Sequence, residues 1–321
     1  MRPSLSVRIG GLVLANPVGL ASGTIGYGSE YEHLVGIDAV GALYTKAVTL
    51  EPREGNRVPR IVETPAGMLN SIGLANPGIE VFVADKLTEL RKRRCAVIVN
   101  VAGSSEDEYA RVVERIEEAA GPESRLPGAP DAGAGGTGVD GYEINVSCPN
   151  VCHGGLAFGT DPAQVERLTR AIRGRTRRPL IVKLTPNVTD IASIARAAEA
   201  GGADAVSCIN TLVGMSIDVA RRRPHLAMGT GGLSGPAVRP VGVACCFKAS
   251  RAVGIPVVGL GGIMTADDAL QYLLAGARAV QIGTGTFVDP HCASRVLAGI
   301  ERWMEESGVA RVEDIPLMLE E

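Results

Sequence analysis

The feature that most constrains this chain is a repeating unit, a short apolar strand, a polar or glycine-bearing loop and an amphipathic helix, that supplies eight strands and seven clear helices. Strands are read at residues 17–21, 42–45, 96–99, 141–144, 180–182, 205–208, 256–259 and 279–282. Helical periodicity fills 79–93, 105–120, 162–173, 190–200, 241–252, 266–275 and 291–306. Thr160-Asp161-Pro162 and Thr265-Ala266-Asp267 carry capping side chains where helices should begin, and Gly201 and Gly276 stand where helices should stop. Eight β/α units in series predict an α/β fold, a (β/α)8 TIM barrel, as a single domain over residues 1–321.

Three segments add to a minimal barrel. Leu5, Val7 and Ile9 alternate before Gly10-Gly11, and Leu12 to Leu14 return, which predicts an N-terminal β-hairpin covering one end of the body. Residues 51–76, rich in Pro and Gly and without clear period, follow the second strand and predict a lid or wall insertion on the face where barrel active sites form. Residues 121–140 are a Gly/Ala/Pro run between the third helix and the fourth strand; they read as a flexible surface insertion on the opposite face.

On such a barrel the C-terminal ends of the strands converge on one mouth. Those ends are Ser22, Lys46, Asn100, Asn145, Lys183, Asn210, the Gly261-Gly262 pair and Gly283-Thr284. Each has an ordinary explanation alone: Asn caps turns, strand-end Lys reaches for water, and Gly pairs allow tight loops. Together they point to a polar ligand, because lysines and amides at the ends of buried strands are costly when unpaired. Tyr142 to Gly159, YEINVSCPNVCHGGLAFG, begins as a strand and then presents Asn145, Ser147, Cys148, Asn150 and His153. A lone Cys beside an apolar strand is more often a small buried residue; in this polar company Cys148 becomes the candidate base. GLGGI at Gly259 and IGTGTF at Ile282 follow strands seven and eight, where barrels bind phosphate through backbone N–H groups. Three amides and two lysines beside them favour a planar heterocycle, and flavin mononucleotide meets both demands.

Composition excludes other classes. A net charge of −3 and 3% aromatic residues give no nucleic-acid footprint, and the basic runs RKRR at Arg91 and RRR at Arg221 read as solvated ends of elements. Seven cysteines without a C-x-x-C pair fit a reducing compartment and no metal site; CPNVCH has one residue too many for a C-x-x-C-H haem attachment. With no apolar run long enough to span a bilayer and no signal peptide after Met1, the expected location is cytoplasmic.

Ten stretches resemble one family over essentially the whole chain, the class 1 dihydroorotate dehydrogenases, and within them the B-type catalytic subunits. They are NPVGLASGTIGYG at Asn16, YTKAVTL at Tyr44, NRVPRIVETPAGMLNSIGLANPG at Asn56, NVAGSS at Asn100 and INVSCPNVCHGGLAFGTDP at Ile144. VKLTPNVTDI at Val182, INTLVGM at Ile209, GGLSGPAVRP at Gly231, GLGGI at Gly259 and IGTGTF at Ile282 complete the set. The HGG and FGTD continuation after SCPN favours the B-type over the fumarate-using A-type, and Cys152 stands where a charged residue is expected.

The resemblance implies oxidation of (S)-dihydroorotate to orotate in pyrimidine biosynthesis, with FMN in this chain. Cys148 resembles the catalytic base that takes a proton from C5 as hydride leaves C6. Lys46, Asn70, Ser71, Ile72, Gly73, Leu74, Asn145, Asn210 and Thr211 resemble the substrate-binding set. Ser22, Lys46, Ala47, Asn100, Asn145, Lys183, Ile209, Gly235, Gly261, Gly262, Gly283 and Thr284 resemble the flavin contacts, Lys183 stabilising negative charge on the ring. A homodimer within a heterotetramer, whose second subunit carries FAD and a [2Fe-2S] cluster and reduces NAD, is the implied assembly. Three alternatives stay open from the residues themselves: the A-type enzyme, a dihydropyrimidine dehydrogenase subunit lacking the carboxylate site at Lys46, and a phosphosugar isomerase or lyase without flavin.

Overall fold

Eight parallel strands hydrogen-bond into one closed ring in chain order, the eighth pairing with the first. The computed structural model describes residues 2–121, 137–146, 152–153 and 156–320. The barrel strands are Val18–Leu20, Ala42–Tyr44, Ala96–Val101, Gly141–Asn145, Leu180–Leu184, Ala205–Cys208, Val257–Leu260 and Ala279–Ile282. Covered by side chains inside and helices outside, they are buried almost throughout, which is why they read as nearly continuous Val/Ile/Leu runs. The fold is a (β/α)8 TIM barrel.

The outer helices are Glu106–Ala120, Pro162–Arg173, Ile191–Ala200, Arg239–Ser250, Ala266–Leu274 and Cys292–Glu306, and four of them begin at a capping side chain. Ser105, Asp161 and Asp190 accept backbone N–H groups of the first turns, and Thr265 forms a reciprocal capping box with Asp268. The helix expected over 79–93 differs. It runs as Ile79–Val81, widens into a π-turn over Phe82–Lys86 and ends with Leu87–Leu90. The RKRR run follows this helix end with Arg91, Lys92 and Arg94 exposed, as a solvated end should be; Arg93 departs from it, buried against Glu32 and Asp38, and Arg91 also donates to the carbonyls of Ala119 and Thr137.

The N-terminal hairpin, Val7–Ile9 with Leu12–Leu14, buries Val7, Ile9, Leu12 and Leu14. Its Gly10 turn lies against Asp204, just ahead of the sixth strand, so the hairpin closes the end of the barrel opposite the mouth. At the mouth, residues 51–76 are more regular than their composition indicates. Ile61–Thr64 and Gly67–Asn70 form a hairpin that joins Thr230–Ser234 and Leu212–Met215 in a four-stranded antiparallel sheet. The wall after the second strand is thus built with the connection after the sixth. No helix among the described residues is long and apolar enough to cross a membrane.

Most of the 121–140 insertion lies outside the described residues, but Arg178, together with Arg91, holds its flanks. Arg178, 3% exposed, donates to the carbonyls of Gly121 and Val139, to Thr137 Oγ1 and to the Glu117 carboxylate. Arg178→Ala strips a partner from two buried acceptors, from the half-buried Gly121 carbonyl and from Glu117 together, and is expected to cost about 3 kcal/mol. Urea denaturation reads this as a lowered midpoint; an unchanged midpoint would show the staple to be dispensable.

Candidate functional site

Strand parity decides which side chains enter the barrel. Asn100 pairs with Glu143, Asn145 with Lys183 and Lys183 with Ser207, so these residues share the inner face. Asn100 and Lys183 therefore lie within their strands rather than just beyond them, and Asn145 is the last residue of its strand. A layer of polar groups stands beneath the mouth where barrels usually stack Val, Ile and Leu.

At its centre is Glu143, fully buried, which the sequence reading passed over. Its carboxylate accepts from Asn100 Nδ2 at 2.6 Å, Gln281 Nε2 at 2.8 Å and Ser207 Oγ at 2.9 Å, and pairs with Lys183 Nζ at 3.5 Å. Tyr44 lies alongside; burial first and the charge of Glu143 second push its phenol well above the ordinary range. The missed signal was a Glu, a Ser and a Gln inside apolar strands at the same parity as the strand-end amides.

Above this layer several of the expected residues meet in pairs. Asn210 Nδ2 donates to Asn145 Oδ1 at 3.3 Å, and Tyr109 Oη holds the Asn145 carbonyl at 2.7 Å. Asn210 Oδ1 accepts the Thr211 N–H, and Thr211 packs so closely on Gly232 that any side chain there would collide. Asn70 bonds the Gly232 carbonyl, which ties the wall to the arm, the connection after the sixth strand that carries Leu212–Met215 and Thr230–Ser234. Gly235 approaches Gly67 and Gly262 within the space of a Cβ, and Ser234 accepts from Thr284 Oγ1 at 2.8 Å. Gly261 sits beside Ile209, and Gly283 beside Ala21 next to the half-buried Ser22. Ala47 is buried between Lys46 and Val48.

Ser71, Ile72 and Gly73 are anchored within their own segment, where Asn56 bonds Ser71 and Ile72 and packs on Gly73. Leu74 holds a left-handed φ of 56°, an uncommon strain for a leucine, while Asn76 Nδ2 grips its carbonyl at 2.8 Å. Cys148 lies outside the described residues.

Two observations fit a flavin at this mouth. Asn100 Oδ1 is buried without a partner, an acceptor awaiting an N–H donor. A Cβ on Gly262 would stand 2.7 Å from the Gly235 carbonyl, so this cradle admits only backbone at the surface a phosphate would meet. Lys46 is half-buried and has no carboxylate in ion-pair reach among the described residues. Burial pulls its pKa below the ordinary value; Glu30 works against that shift and Arg60 adds to it. No group of three or more His, Cys, Asp or Glu that could hold a metal ion occurs among the described residues.

Parallel barrel and polar mouth define the class: a (β/α)8 barrel of the enzyme type with its ligand-binding groups at the C-terminal strand ends. The Dihydroorotate dehydrogenase family matches residues 4–123 and 133–304, and the chain belongs to that family. It is 49% identical over 320 residues, 100% of both chains, to the "Dihydroorotate dehydrogenase B (NAD(+)), catalytic subunit" of Pelobacter propionicus. The protein of the same name from Geobacter sulfurreducens is 50% identical over 98% of this chain and 97% of its own. Among solved structures, DHODH from Eimeria tenella in complex with ferulenol has the same fold, with a TM-score of 0.79 at 23% identity, covering 97% of this chain and 87% of that one.

A folded-state pKa below the unfolded one means the unfolded chain holds the extra proton between the two values, so stability rises with pH in that window. For Lys46 the penalty is therefore fully present below the lowered value and relieved as pH climbs through it. Lys46→Met is expected to raise the thermal midpoint of the ligand-free protein at pH 7, the advantage shrinking at alkaline pH. A lower midpoint in the variant would refute the unpaired, ligand-seeking reading of Lys46.

Proposed function

We propose that this chain oxidises (S)-dihydroorotate to orotate in pyrimidine biosynthesis, using FMN bound at the barrel mouth and passing electrons toward NAD through a second subunit. The full-length match to proteins named as B-type, NAD(+) catalytic subunits carries this reading.

The substrate is a planar ring with an amide-like edge and a carboxylate. Asn70, Asn145, Asn210 and Thr211 offer donors and acceptors to the edge, and the 71–74 loop lies beside them in sequence. Lys46, the half-buried cation, meets the carboxylate, a contact of about 1.5–3 kcal/mol that a neutral dihydropyrimidine cannot make. Cys148 takes the proton from C5 as a thiolate; an ordinary thiol is mostly protonated at neutral pH, so turnover rises toward alkaline conditions. Asn100 and Lys183 serve the flavin ring, the ammonium balancing negative charge, while Gly235, Gly261, Gly262, Gly283 and Thr284 cradle its phosphate. Bound there, FMN supplies the acceptor for hydride from C6.

The second subunit, carrying FAD and a [2Fe-2S] cluster, docks on a homodimer of this chain. Val213, Met215, Ile217 and Val219 on the arm are exposed apolar side chains suited to burial against another copy.

Anaerobic dihydroorotate should bleach the flavin of the purified protein. Cys148→Ala should keep the yellow colour but lose bleaching and turnover by orders of magnitude, and near wild-type turnover would remove Cys148 from the chemistry. The acceptor is tested on the isolated chain: NAD reduction should be negligible until the electron-transfer subunit is added, whereas efficient fumarate reduction by the chain alone would make it A-type.

A further inference from the structure

Glu143 is a fully buried carboxylate in the barrel lumen, and the chemistry proposed above makes no use of it. Its four partners all act as donors: Ser207 and Gln281 serve Oε1, Asn100 and Lys183 serve Oε2. A carboxylate can only accept, so it fixes the orientation of the amides facing it. Asn100 must turn its nitrogen inward, which leaves its Oδ1 a buried acceptor without a partner, as the same turn leaves Oε1 of Gln281. Lys183, with a side chain 6% exposed, has this carboxylate as its ion-pair partner at 3.5 Å. One long contact does not engage all three ammonium protons.

An ion pair sealed in a barrel is not an efficient source of stability, because desolvation of both charges offsets their attraction and apolar replacements often serve as well. The compensation lies in what the pair presents. We propose that Glu143 is a positioning residue: it is the fixed counter-charge that holds the Lys183 ammonium and the Asn100 carbonyl oxygen ready for a ligand at the mouth. The proposal rests on the flavin reading for the identity of that ligand, but the coupling of Glu143 to Lys183 belongs to the protein alone. Ser207 and Gln281 complete the grip from the far side, so the carboxylate cannot follow Lys183 when a ligand arrives.

A double-mutant cycle with Glu143→Gln and Lys183→Met tests this. In flavin-free protein each single variant leaves a buried charge without its counter-charge and should unfold at lower urea concentration. The double variant should recover most of that loss although it removes more interactions. FMN affinity, followed by flavin fluorescence, should fall about tenfold or more for Glu143→Gln in the wild-type background, as for a lost charge-assisted contact. Added to Lys183→Met, the same change should cost less than about threefold, since additive behaviour is expected only of independent sites.

Additive stability losses, or an equal loss of FMN affinity in both backgrounds, would overturn the proposal and leave Glu143 a packing residue. If the protein bound no flavin at all, the functional reading would fail while the stability cycle still judged the coupling. Should Glu143→Gln not accumulate in folded form, Glu143→Asp and the double variant carry the comparison. Asp keeps the charge and should retain more FMN affinity than the wild-type-background Gln change predicts; if it binds FMN no better than Glu143→Ala, the proposal falls.

Discussion

Closure of the sheet is the constraint on which everything else here depends. Once Ala279–Ile282 pairs with Val18–Leu20, no strand can slip by one residue without exchanging its inner and outer side chains against both neighbours. The parity of Gly19, Tyr44, Asn100, Glu143, Asn145, Lys183, Ser207 and Gln281 is thereby common around the ring, Asn145 standing nearer the mouth than Glu143 on the same strand. Side chains far apart in sequence, Glu143 and Gln281 among them, meet at 2.8 Å because the ring leaves them nowhere else to go.

Much of this was legible in the residues because barrel strands and helices announce themselves by period and by caps such as Thr265 and Asp161. All eight strands lie where the apolar runs place them, and the family is written in motifs spread along the chain. Three things were hidden for physical reasons. A polar residue inside a short buried strand is masked by its apolar neighbours, so Glu143, Ser207 and Gln281 passed unnoticed. The wall and arm strands are half-exposed and glycine-bearing, and Gly67–Asn70 finds its partner in Thr230–Ser234, a pairing local pattern cannot reveal. The π-turn at Phe82–Lys86 leaves no periodic trace in so short a helix.

The mouth is held from two sides by different means. Inside, charge and amide orientation fix Asn100 and Lys183 against Glu143. Outside, the four-stranded sheet fixes Asn70 and Gly235 through backbone pairing and close glycine contacts, and Asn76 holds Leu74 in a conformation it would not choose. Both halves are rigid in the way a site must be if its polar groups are to meet a ligand without first reorganising.

Arg178 gives the barrel a different kind of freedom. By clamping Gly121 on one side and Thr137 and Val139 on the other, it fixes the separation of the two points between which residues 122–136 must run. For any flexible connection between fixed ends, doubling the length costs only about 0.6 kcal/mol in closure entropy. The clamp does not depend on how many residues run between its two ends, and the fourth strand, which carries Glu143 and Asn145, keeps the register set by its pairing with both neighbours.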